Sequence, residues 1–465
     1  MTAPGARRLS ACRKKAFVAR GVCKNSEKQK CCGIYLKKEN MKLHFLLLAC
    51  CLTLTVHAQT SREEVQADLN KAGGVYLVYP EPKAQPTLAP KGYTPCYISH
   101  YGRHGSRYLI GDNDYLWVIR LMQKAEAGNA LTPLGKDVLQ RLQQLWPLVE
   151  GRGGDLTPAG VRQHRGIAER MYRNYPSLFR KGKKVSARST VVLRCAMSMA
   201  AFGDRLKALA PDIDISYEAT EKYMCYLNYH APDPENFADW SKGAWVTEYR
   251  KFEAEHLKPQ RMLKALFADD TFVRRNVNDT ELMWGLYWIA VDMQNIDTDI
   301  SFYDIFTPDE MFELWQCNSY RFYASNANHA GSRGHTVANA NNLLRNIIET
   351  ADDALKCPET AATLRFGHDG NVMPLLAIMG IENFAVKLDS PEGAYRQWAD
   401  FKASPMAANI QLVFFKNKEG DIILKVLHNE TEVHIPVQTD IFPFYRWTDV
   451  RAYYNAIISR GGMID

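Results

Sequence analysis

Arginine, histidine and glycine are concentrated in one short stretch of the sequence, Arg-His-Gly-Ser-Arg at residues 103–107. An apolar, β-prone run precedes it, and Gly102 breaks that pattern. Guanidinium groups bind phosphate oxygens in pairs, and glycine lets the backbone approach a ligand closely. A histidine between two arginines is either a donor to an anion or a nucleophile. The stretch therefore predicts an anion site at a strand end, with Arg103, His104 and Arg107 as its members.

A second histidine, His368, lies in a similar setting. It stands in Gly-His-Asp at residues 367–369, after another short β-prone run and before an apolar helix. Strand ends at one edge of a sheet lie close together, so His104 and His368 can meet although 264 residues separate them. Asp369 adds a carboxyl group that can donate and accept a proton.

Helical and β-prone segments alternate around these motifs. Helical periodicity covers residues 115–127, 135–149 and 191–208, and Thr157 with Pro158 predicts the start of a helix that reaches about residue 175. Strands are predicted at residues 185–188, 214–217, 409–415 and 422–426, and a last helix at 450–459. This alternation predicts an α/β fold whose site lies at the carboxyl ends of the strands.

One long segment differs from this alternation. Residues 219–356 are rich in Trp, Tyr and Met and show helical patterns at 252–267, 280–292, 308–320 and 336–348, with no convincing strand. We therefore predict an α/β core domain formed by residues 59–218 and 357–465, and a helical insertion or cap domain at 219–356.

The amino-terminal residues resemble a targeting segment. Lys42 follows Met41, an apolar stretch covers residues 43–56, and small residues precede Gln59. Residues 41–58 are therefore predicted to be a signal peptide, with residues 1–40 as an unusual or mis-translated leader. Secretion or a periplasmic location follows, and lipid anchoring at Cys50 is the alternative.

Composition excludes some classes of protein. The formal net charge is +7, but residues 1–40 contain eleven Lys or Arg and two Glu, which leaves −2 for the rest of the chain. A general nucleic-acid-binding surface is therefore not expected. Beyond residue 51 the five cysteines are widely spaced and odd in number, so neither a zinc site nor a disulfide scaffold is predicted.

The motifs at residues 103–107 and 367–369 together resemble those of the histidine acid phosphatases, branch 2 of the histidine phosphatases. The run Ser-Pro-Met-Ala-Ala-Asn-Ile-Gln-Leu-Val-Phe from Ser404, and Leu-Lys-Val-Leu-His-Asn-Glu from Leu424, resemble the multiple inositol polyphosphate phosphatases within that family. One departure is His-Asp-Gly at 368–370, where those enzymes usually have His-Ala-Glu. The resemblance implies a phosphoglycerate-mutase-like sheet with flanking helices and an inserted helical cap.

The resemblance also implies a role for each residue. His104 is expected to attack phosphorus and form a phosphohistidine, with the backbone of Gly102 and Arg103 holding its other ring nitrogen. Asp369 is expected to give its proton to the leaving oxygen. Phosphate binding is assigned to these residues: Arg103, Arg107, Arg194 and His368. No metal or other cofactor is implied, because arginines neutralise the phosphate.

The expected partner is a small phosphomonoester, an inositol polyphosphate such as phytate, with 2,3-bisphosphoglycerate as a further substrate. Three residues are predicted as substrate contacts: Lys183, Arg188 and Arg365. Additional charged candidates are Lys181, Lys184, Arg162 and Arg165, with Arg321, His329, Arg333 and His335 from the helical segment. The alternatives are a general acid phosphatase of sugar or nucleotide monoesters, a phosphate-binding module without turnover, and a nucleic-acid binder using the basic leader.

Overall fold

One mixed β-sheet lies at the centre of the structure. The computed structural model describes residues 60–464 except positions 83 and 234. Its strands are β1 Thr94–Arg103, β2 Lys184–Ser189, β3 Asp214–Ala219, β4 Thr360–Gly367, β5 Asn409–Lys416, β6 Ile422–His428, β7 Thr431–Glu432 and β8 Tyr445–Arg446. The strand order is β3-β2-β4-β1-β5-β6-β7, and β8 pairs with β6. Strands β1 to β4 run parallel to their neighbours, and β5 joins β1 in the antiparallel direction.

The helices begin and end close to the predicted positions. The four that precede β2 are α1 Ser61–Ala67, α2 Asn113–Ala127, α3 Pro133–Val149 and α4 Pro158–Asn174, and α5 Leu193–Leu209 follows it. Thr157 caps α4, because its hydroxyl accepts a hydrogen bond from the Gly160 amide. This residue pattern was sufficient for the prediction, since a cap depends on neighbours within one turn.

The long segment between β3 and β4 is helical, as predicted. It contains α6 Met224–Leu227, α7 Val246–His256, α8 Gln260–Leu266, α9 Asp270–Asn276, α10 Asp279–Asp292, α11 Pro308–Asn326, α12 His335–Ala338 and α13 Asn341–Ala354. The single helix predicted at 252–267 is wrong, because the chain is extended at Leu257 and Pro259 disfavours a helical conformation in the residue before it. The helix predicted at 336–348 is likewise two helices, α12 and α13.

Helices cover both faces of the sheet. Helices α4 and α5 pack on one face through Ile167, Met171, Phe202 and Leu206. The remaining helices, α14 Asp369–Ile378, α15 Asp400–Ala403 and α16 Trp447–Ser459, complete the chain. A second apolar cluster joins the other face to the helical segment without a break. Residues Thr60–Asp465 form one compact unit, so the proposed boundaries of the cap at 219–356 stay a prediction.

Several predictions fall on residues 1–59, which lie outside the described residues: the leader, the signal peptide at 41–58 and the anchor at Cys50. Within the part of the chain that the structure describes, no helix is both long and apolar enough to cross a membrane. The five cysteines of that part, Cys96, Cys195, Cys225, Cys317 and Cys357, are all free thiols.

Candidate active site

Two adjacent parallel strands bring the two histidines together. Arg103 at the end of β1 pairs with Gly367 at the end of β4, so His104 and His368 leave the sheet side by side. The His104 amide donates a hydrogen bond to the Gly367 carbonyl at 3.0 Å. The two imidazole rings meet edge to face, with centroids 5.8 Å apart. The register of the sheet therefore assembles the site predicted from the two motifs.

The buried His104 ring is held in its neutral form, with one ring nitrogen unprotonated. Its Nδ1 lies 2.9 Å from the Gly105 carbonyl oxygen. A carbonyl only accepts, so Nδ1 carries the proton and Nε2 keeps its lone pair. Burial, and then the charges of Arg103, Arg107 and Arg194, lower the pKa of His104 well below its ordinary value. The expectation that Gly102 and Arg103 hold the ring is corrected: the carbonyl belongs to Gly105, the residue that follows the histidine.

Three guanidinium groups surround the His104 ring. Arg107 and Arg194 line the same cavity as His104 and His368. Arg103 lies behind them, fully buried, and its two terminal nitrogens donate to the carbonyls of Val75 and Ser404 and to the Asp369 carboxylate. The Nε atoms of all three arginines are buried and have no hydrogen-bond partner. A cluster of like charges with unused donors is suited to a multiply charged anion.

Arg194 and not Arg188 reaches this cluster. Arg194 is the second residue of α5 and forms no ion pair with any described carboxylate. Arg188 instead pairs with Glu218 at 3.0 Å and lies over the Tyr223 ring. The structure therefore does not bring Arg188 to the cavity.

Two helices begin at the cavity, α5 beside Arg194 and α14 at Asp369. Their N-cap residues, Val192 and His368, provide no side-chain hydrogen bond to the first turn. The positive end of each helix dipole therefore favours an anion at this place.

Asp369 lies between these positive charges. Its Oδ2 accepts from Arg103 Nη2 at 2.8 Å, and its Oδ1 accepts from the Gly370 amide. Burial pushes the pKa of Asp369 up, but the charges of Arg103, His368 and Arg107 outweigh it and hold the pKa below its ordinary value. Burial also lowers the pKa of His368 to about 4, so this imidazole is neutral above that pH.

The loop at residues 104–107 is held by residues that the sequence did not identify. Ser198 on α5 accepts from the Gly105 amide at 3.1 Å, and Gln163 on α4 accepts from the Ser106 amide at 2.9 Å. The Ser106 hydroxyl donates to Asn295 at 2.6 Å. These are single polar residues inside helical or loop patterns, so no sequence signal distinguished them from surface residues.

The carboxy-terminal run that carried the family resemblance closes the back of this loop. The Arg103 amide donates to the Ala408 carbonyl, and the Ala407 amide donates to the His104 carbonyl. Ala407 adopts a left-handed conformation, with φ of 56°, which a residue with a side chain adopts only when its surroundings enforce it. The run at 404–409 therefore shapes the loop at residues 104–107 and lies behind the cavity.

The cavity has a volume of about 730 Å³ and joins the core to the helical segment. It is lined by polar and charged residues, His104, Arg107, Asp114, Arg194, Asn228, His230, Arg321, Ser325, Asn326, Asn339, His368 and Asp369, and by apolar or aromatic ones, Tyr76, Leu109, Ile110, Trp117, Ala238, Trp240, Trp288 and Phe322, with Gly285 and Gly370. Among the described residues, no group of three or more His, Cys, Asp or Glu could hold a metal ion.

Most of the charged residues predicted to contact the substrate lie elsewhere. Arg365 is fully buried in β4 and donates to Ser99, Asn346 and Thr350, so its assignment is corrected to a structural one. Lys183 directly precedes β2 and donates to the Pro358 carbonyl. It therefore lies at the amino-terminal ends of the strands, opposite to the site, and its assignment as a substrate contact is corrected too.

Of the other charged residues considered as substrate contacts, some line the cavity and others do not. Lys181, Lys184, Arg162 and Arg165 do not line the cavity. Of the four candidates in the helical segment, Arg321 lines it. His329 is instead buried against Tyr320, and Arg333 pairs with Glu235.

Comparison with known proteins identifies the family of the chain. The family model of the histidine phosphatase superfamily (branch 2) matches residues 102–429. Multiple inositol polyphosphate phosphatase 1 of Gallus gallus is 20% identical over 402 residues, which are 81% of this chain and 85% of that protein.

Solved structures share the fold. Multiple inositol polyphosphate phosphatase of Bifidobacterium longum, in complex with inositol hexasulfate, superimposes with a TM-score of 0.71 at 19% identity, covering 83% of this chain and 97% of that one. The phytase from D. castellii gives 0.63 at 15% identity, covering 84% and 85%. The family match spans more than half of the chain, so the chain belongs to branch 2 of the histidine phosphatase superfamily and is a histidine acid phosphatase, a phosphoric monoester hydrolase.

Proposed function

We propose that this phosphatase hydrolyses inositol polyphosphates through a phosphohistidine on His104. The observation that carries the proposal is the neutral His104 ring, with its Nδ1 proton bound by the Gly105 carbonyl, inside a cluster of three arginines with unused donors. This arrangement supplies a nucleophile and neutralises the charge that would otherwise repel it.

The first step transfers the phosphoryl group to the enzyme. The lone pair of His104 Nε2 attacks phosphorus, and the bond between phosphorus and the ester oxygen breaks. The electron pair stays on the leaving oxygen, which takes the proton of Asp369. Arg103, Arg107 and Arg194 hold the phosphate oxygens, and His368 donates a further hydrogen bond.

The second step releases phosphate. Water attacks the phosphorus atom of the phosphohistidine while the Asp369 carboxylate takes a proton from that water. The bond between phosphorus and Nε2 breaks, its electron pair returns to His104, and Asp369 is protonated for the next turnover. Proton donor and base are the same carboxyl group in this scheme.

The choice of inositol polyphosphates rests on the relatives. The curated relative from Gallus gallus is named for that substrate, and the structure from Bifidobacterium longum contains inositol hexasulfate. A cavity of about 730 Å³ lies in the range of ligand pockets. The family resemblance extends the proposal to 2,3-bisphosphoglycerate, another small molecule with several negative charges.

A second candidate is a general acid phosphatase that acts on sugar or nucleotide monoesters. The specific observation is the cavity wall, in which five aromatic rings accompany a single arginine beyond those around His104. Aromatic rings pack on the apolar faces of sugars and bases, and they bind no phosphate.

Phosphate release from phytate and from glucose 1-phosphate, measured at several pH values with the product isomers resolved, separates the two candidates. We expect sequential release from phytate at acidic pH. Release from glucose 1-phosphate alone would replace the first proposal by the second.

Export is also part of the proposal, through the signal predicted at residues 41–58. The expected mature protein starts near Gln59, which amino-terminal sequencing of the expressed protein checks. A mature start before residue 41 would contradict export through this signal, and a lipid-modified Cys50 would replace secretion by anchoring.

A further inference from the structure

One arginine of the cavity lies outside the group around His104. Arg321, on helix α11, is the only other Lys or Arg among the described residues that line the cavity. The helical segment therefore contributes one permanent positive charge to the wall, next to aromatic rings, amides, a serine, an alanine, a glycine and His230.

Arg321 is held in a fixed orientation. Its guanidinium lies 4.2 Å from the ring centroid of Trp240 and 5.9 Å from that of Trp284. Its Nη2 donates to Asn318 at 2.9 Å. Both tryptophans are fixed in turn, because the Trp240 indole donates to Ser325 and the Trp284 indole donates to Glu253. Cation–π contacts of this kind orient a guanidinium without neutralising it.

Arg321 also lines a second cavity, which contains the carboxylates of Glu253 and Glu281. No carboxylate among the described residues forms an ion pair with it, and its Nε is buried without a hydrogen-bond partner. Burying part of a charge without a partner is unfavourable, and an anionic ligand removes that penalty. The unused donors therefore indicate an anion site separate from the one at His104.

The charges of the cavity limit how many phosphates it can neutralise. The three arginines around His104 serve the phosphate that reacts, and Arg321 remains for one more anion. Asp114 also lines the cavity and repels additional phosphates. Trp117, Trp240 and Trp288 leave apolar surface for the face of a ring.

We propose that Arg321 binds a second phosphate of the substrate while the first is attacked by His104, so that the enzyme selects polyol or sugar bisphosphates over monophosphates and over fully phosphorylated rings. This inference rests on the proposed function for the phosphatase reaction itself. It adds that the enzyme recognises its substrates by their number of phosphates and not by the inositol ring.

The test compares kcat/KM for substrates that differ in their number of phosphates. Inositol 1-phosphate, inositol 1,4-bisphosphate and phytate form one series, and glucose 6-phosphate with glucose 1,6-bisphosphate forms a second. We expect wild-type enzyme to prefer each bisphosphate over its monophosphate by roughly 10-fold, as for a charge-assisted hydrogen bond. Arg321→Gln should reduce that preference to about 1, and Arg321→Lys should restore part of it.

Arg275→Gln is the matched control, because it removes the same charge from an exposed residue of the helical segment that does not line the cavity. It should retain the wild-type preference. An unchanged preference in Arg321→Gln, or equal losses on monophosphate and bisphosphate, would overturn the inference, as would faster wild-type turnover of phytate than of the bisphosphate. A different outcome is that wild-type enzyme acts on the two glucose phosphates and on no inositol phosphate, with Arg321→Gln losing the preference for the bisphosphate. This outcome would overturn the proposal of an inositol polyphosphate substrate and support the role of Arg321.

Discussion

At the scale of single residues, the site resolves a conflict between charge and nucleophilicity. Arginines are needed to hold a phosphate, but positive charge near an imidazole also decides whether its lone pair is free. Here burial and the arginines act together and keep His104 unprotonated. The same charges lower the pKa of Asp369, which must hold a proton to act as an acid. The bound phosphate therefore has to compensate for them.

Replacement of the nucleophile is the first prediction at this scale. His104→Ala should reduce kcat on every phosphomonoester by roughly 10³-fold or more, because no phosphohistidine can form. Rapid-quench trapping of the phosphorylated protein checks the intermediate directly. His434→Ala, which removes an exposed imidazole, is the control. Trapped phosphoenzyme in His104→Ala would show that another residue is attacked.

Replacement of the acid should depend on the leaving group. Asp369→Asn removes the proton but keeps the shape of the side chain. Turnover of an alkyl phosphate should fall by about 10²–10⁴-fold, since an alkoxide leaves poorly without a proton. p-Nitrophenyl phosphate should lose much less, because p-nitrophenolate is a good leaving group. Steady-state rates on both esters test this, and equal losses would contradict the role of Asp369.

The pH dependence follows from the pKa of Asp369. This pKa lies below its ordinary value in the substrate-free enzyme, and a bound phosphate raises it. As pH rises, kcat/KM, which reports the free enzyme, should therefore fall first, and kcat, which reports the complex, should fall at a higher pH. Full profiles of both constants check the order. A flat kcat profile up to about pH 8 is incompatible with Asp369 as the acid.

At the scale of elements, the start of helix α4 matters more for the site than the similar start of α3. Both begin with Leu-Thr-Pro, and the hydroxyls of Thr157 and Thr132 both accept from an amide three residues later. The Thr157 hydroxyl also donates to the carbonyl of Ser106, in the loop at residues 104–107, whereas the Thr132 hydroxyl donates to the carbonyl of Ala265. The two caps have the same local chemistry and different tertiary partners.

A pair of matched variants separates these roles. Thr157→Ala and Thr132→Ala should each lower the free energy of unfolding by about 1 kcal/mol, because each loses an N-cap. Only Thr157→Ala should also reduce kcat/KM, since the Ser106 carbonyl beside Arg107 loses the hydroxyl of Thr157 and keeps only the amide of the same residue. Denaturant unfolding and steady-state kinetics measure the two effects. Equal kinetic losses in both variants would show that the second contact has no influence on the site.

At the scale of the whole molecule, buried histidines should set the acid limit of stability. Burial lowers the pKa of His100 and of His164 to about 3, and that of His428 to about 4. In the unfolded chain these groups titrate near 6.5. The unfolded state therefore takes up protons as pH falls below that value, and stability that is complete above it is lost towards pH 3.

His100 tests this limit best, because neither of its ring nitrogens has a hydrogen-bond partner and its neighbours are Phe202 and Phe366. The wild-type free energy of unfolding should fall between pH 7 and pH 4.5, by on the order of 2 kcal/mol for each such histidine. The free energy of unfolding of His100→Leu should fall by less over the same pH range. The variant of an exposed histidine, His434→Leu, should lose as much as wild type. Thermal unfolding of the wild type and both variants at pH 7 and pH 4.5 measures these differences, and an equal loss in His100→Leu and wild type would contradict the prediction.

Comparison of prediction and structure shows which information is local. The nucleophile motif, the second histidine and the cap at Thr157 were recognisable because each depends on residues a few positions apart. The substrate contacts were not, because sequence does not tell which face or edge of the sheet a side chain occupies. Arg365 is two residues from Gly367 on the same strand and is buried under α13.

The sequence by itself determined the family and the candidate site of this protein, since His104, Asp369 and the arginines are set by residue type within short motifs. Only the tertiary structure decided which charges share their cavity. The pairing of β1 with β4 brings His104 to His368, and the helical segment turns Arg321 into the cavity while Lys183, Arg188 and Arg365 lie outside it. The reason is physical: a strand end is encoded locally, but a pocket wall forms where distant elements pack, and that depends on the whole fold.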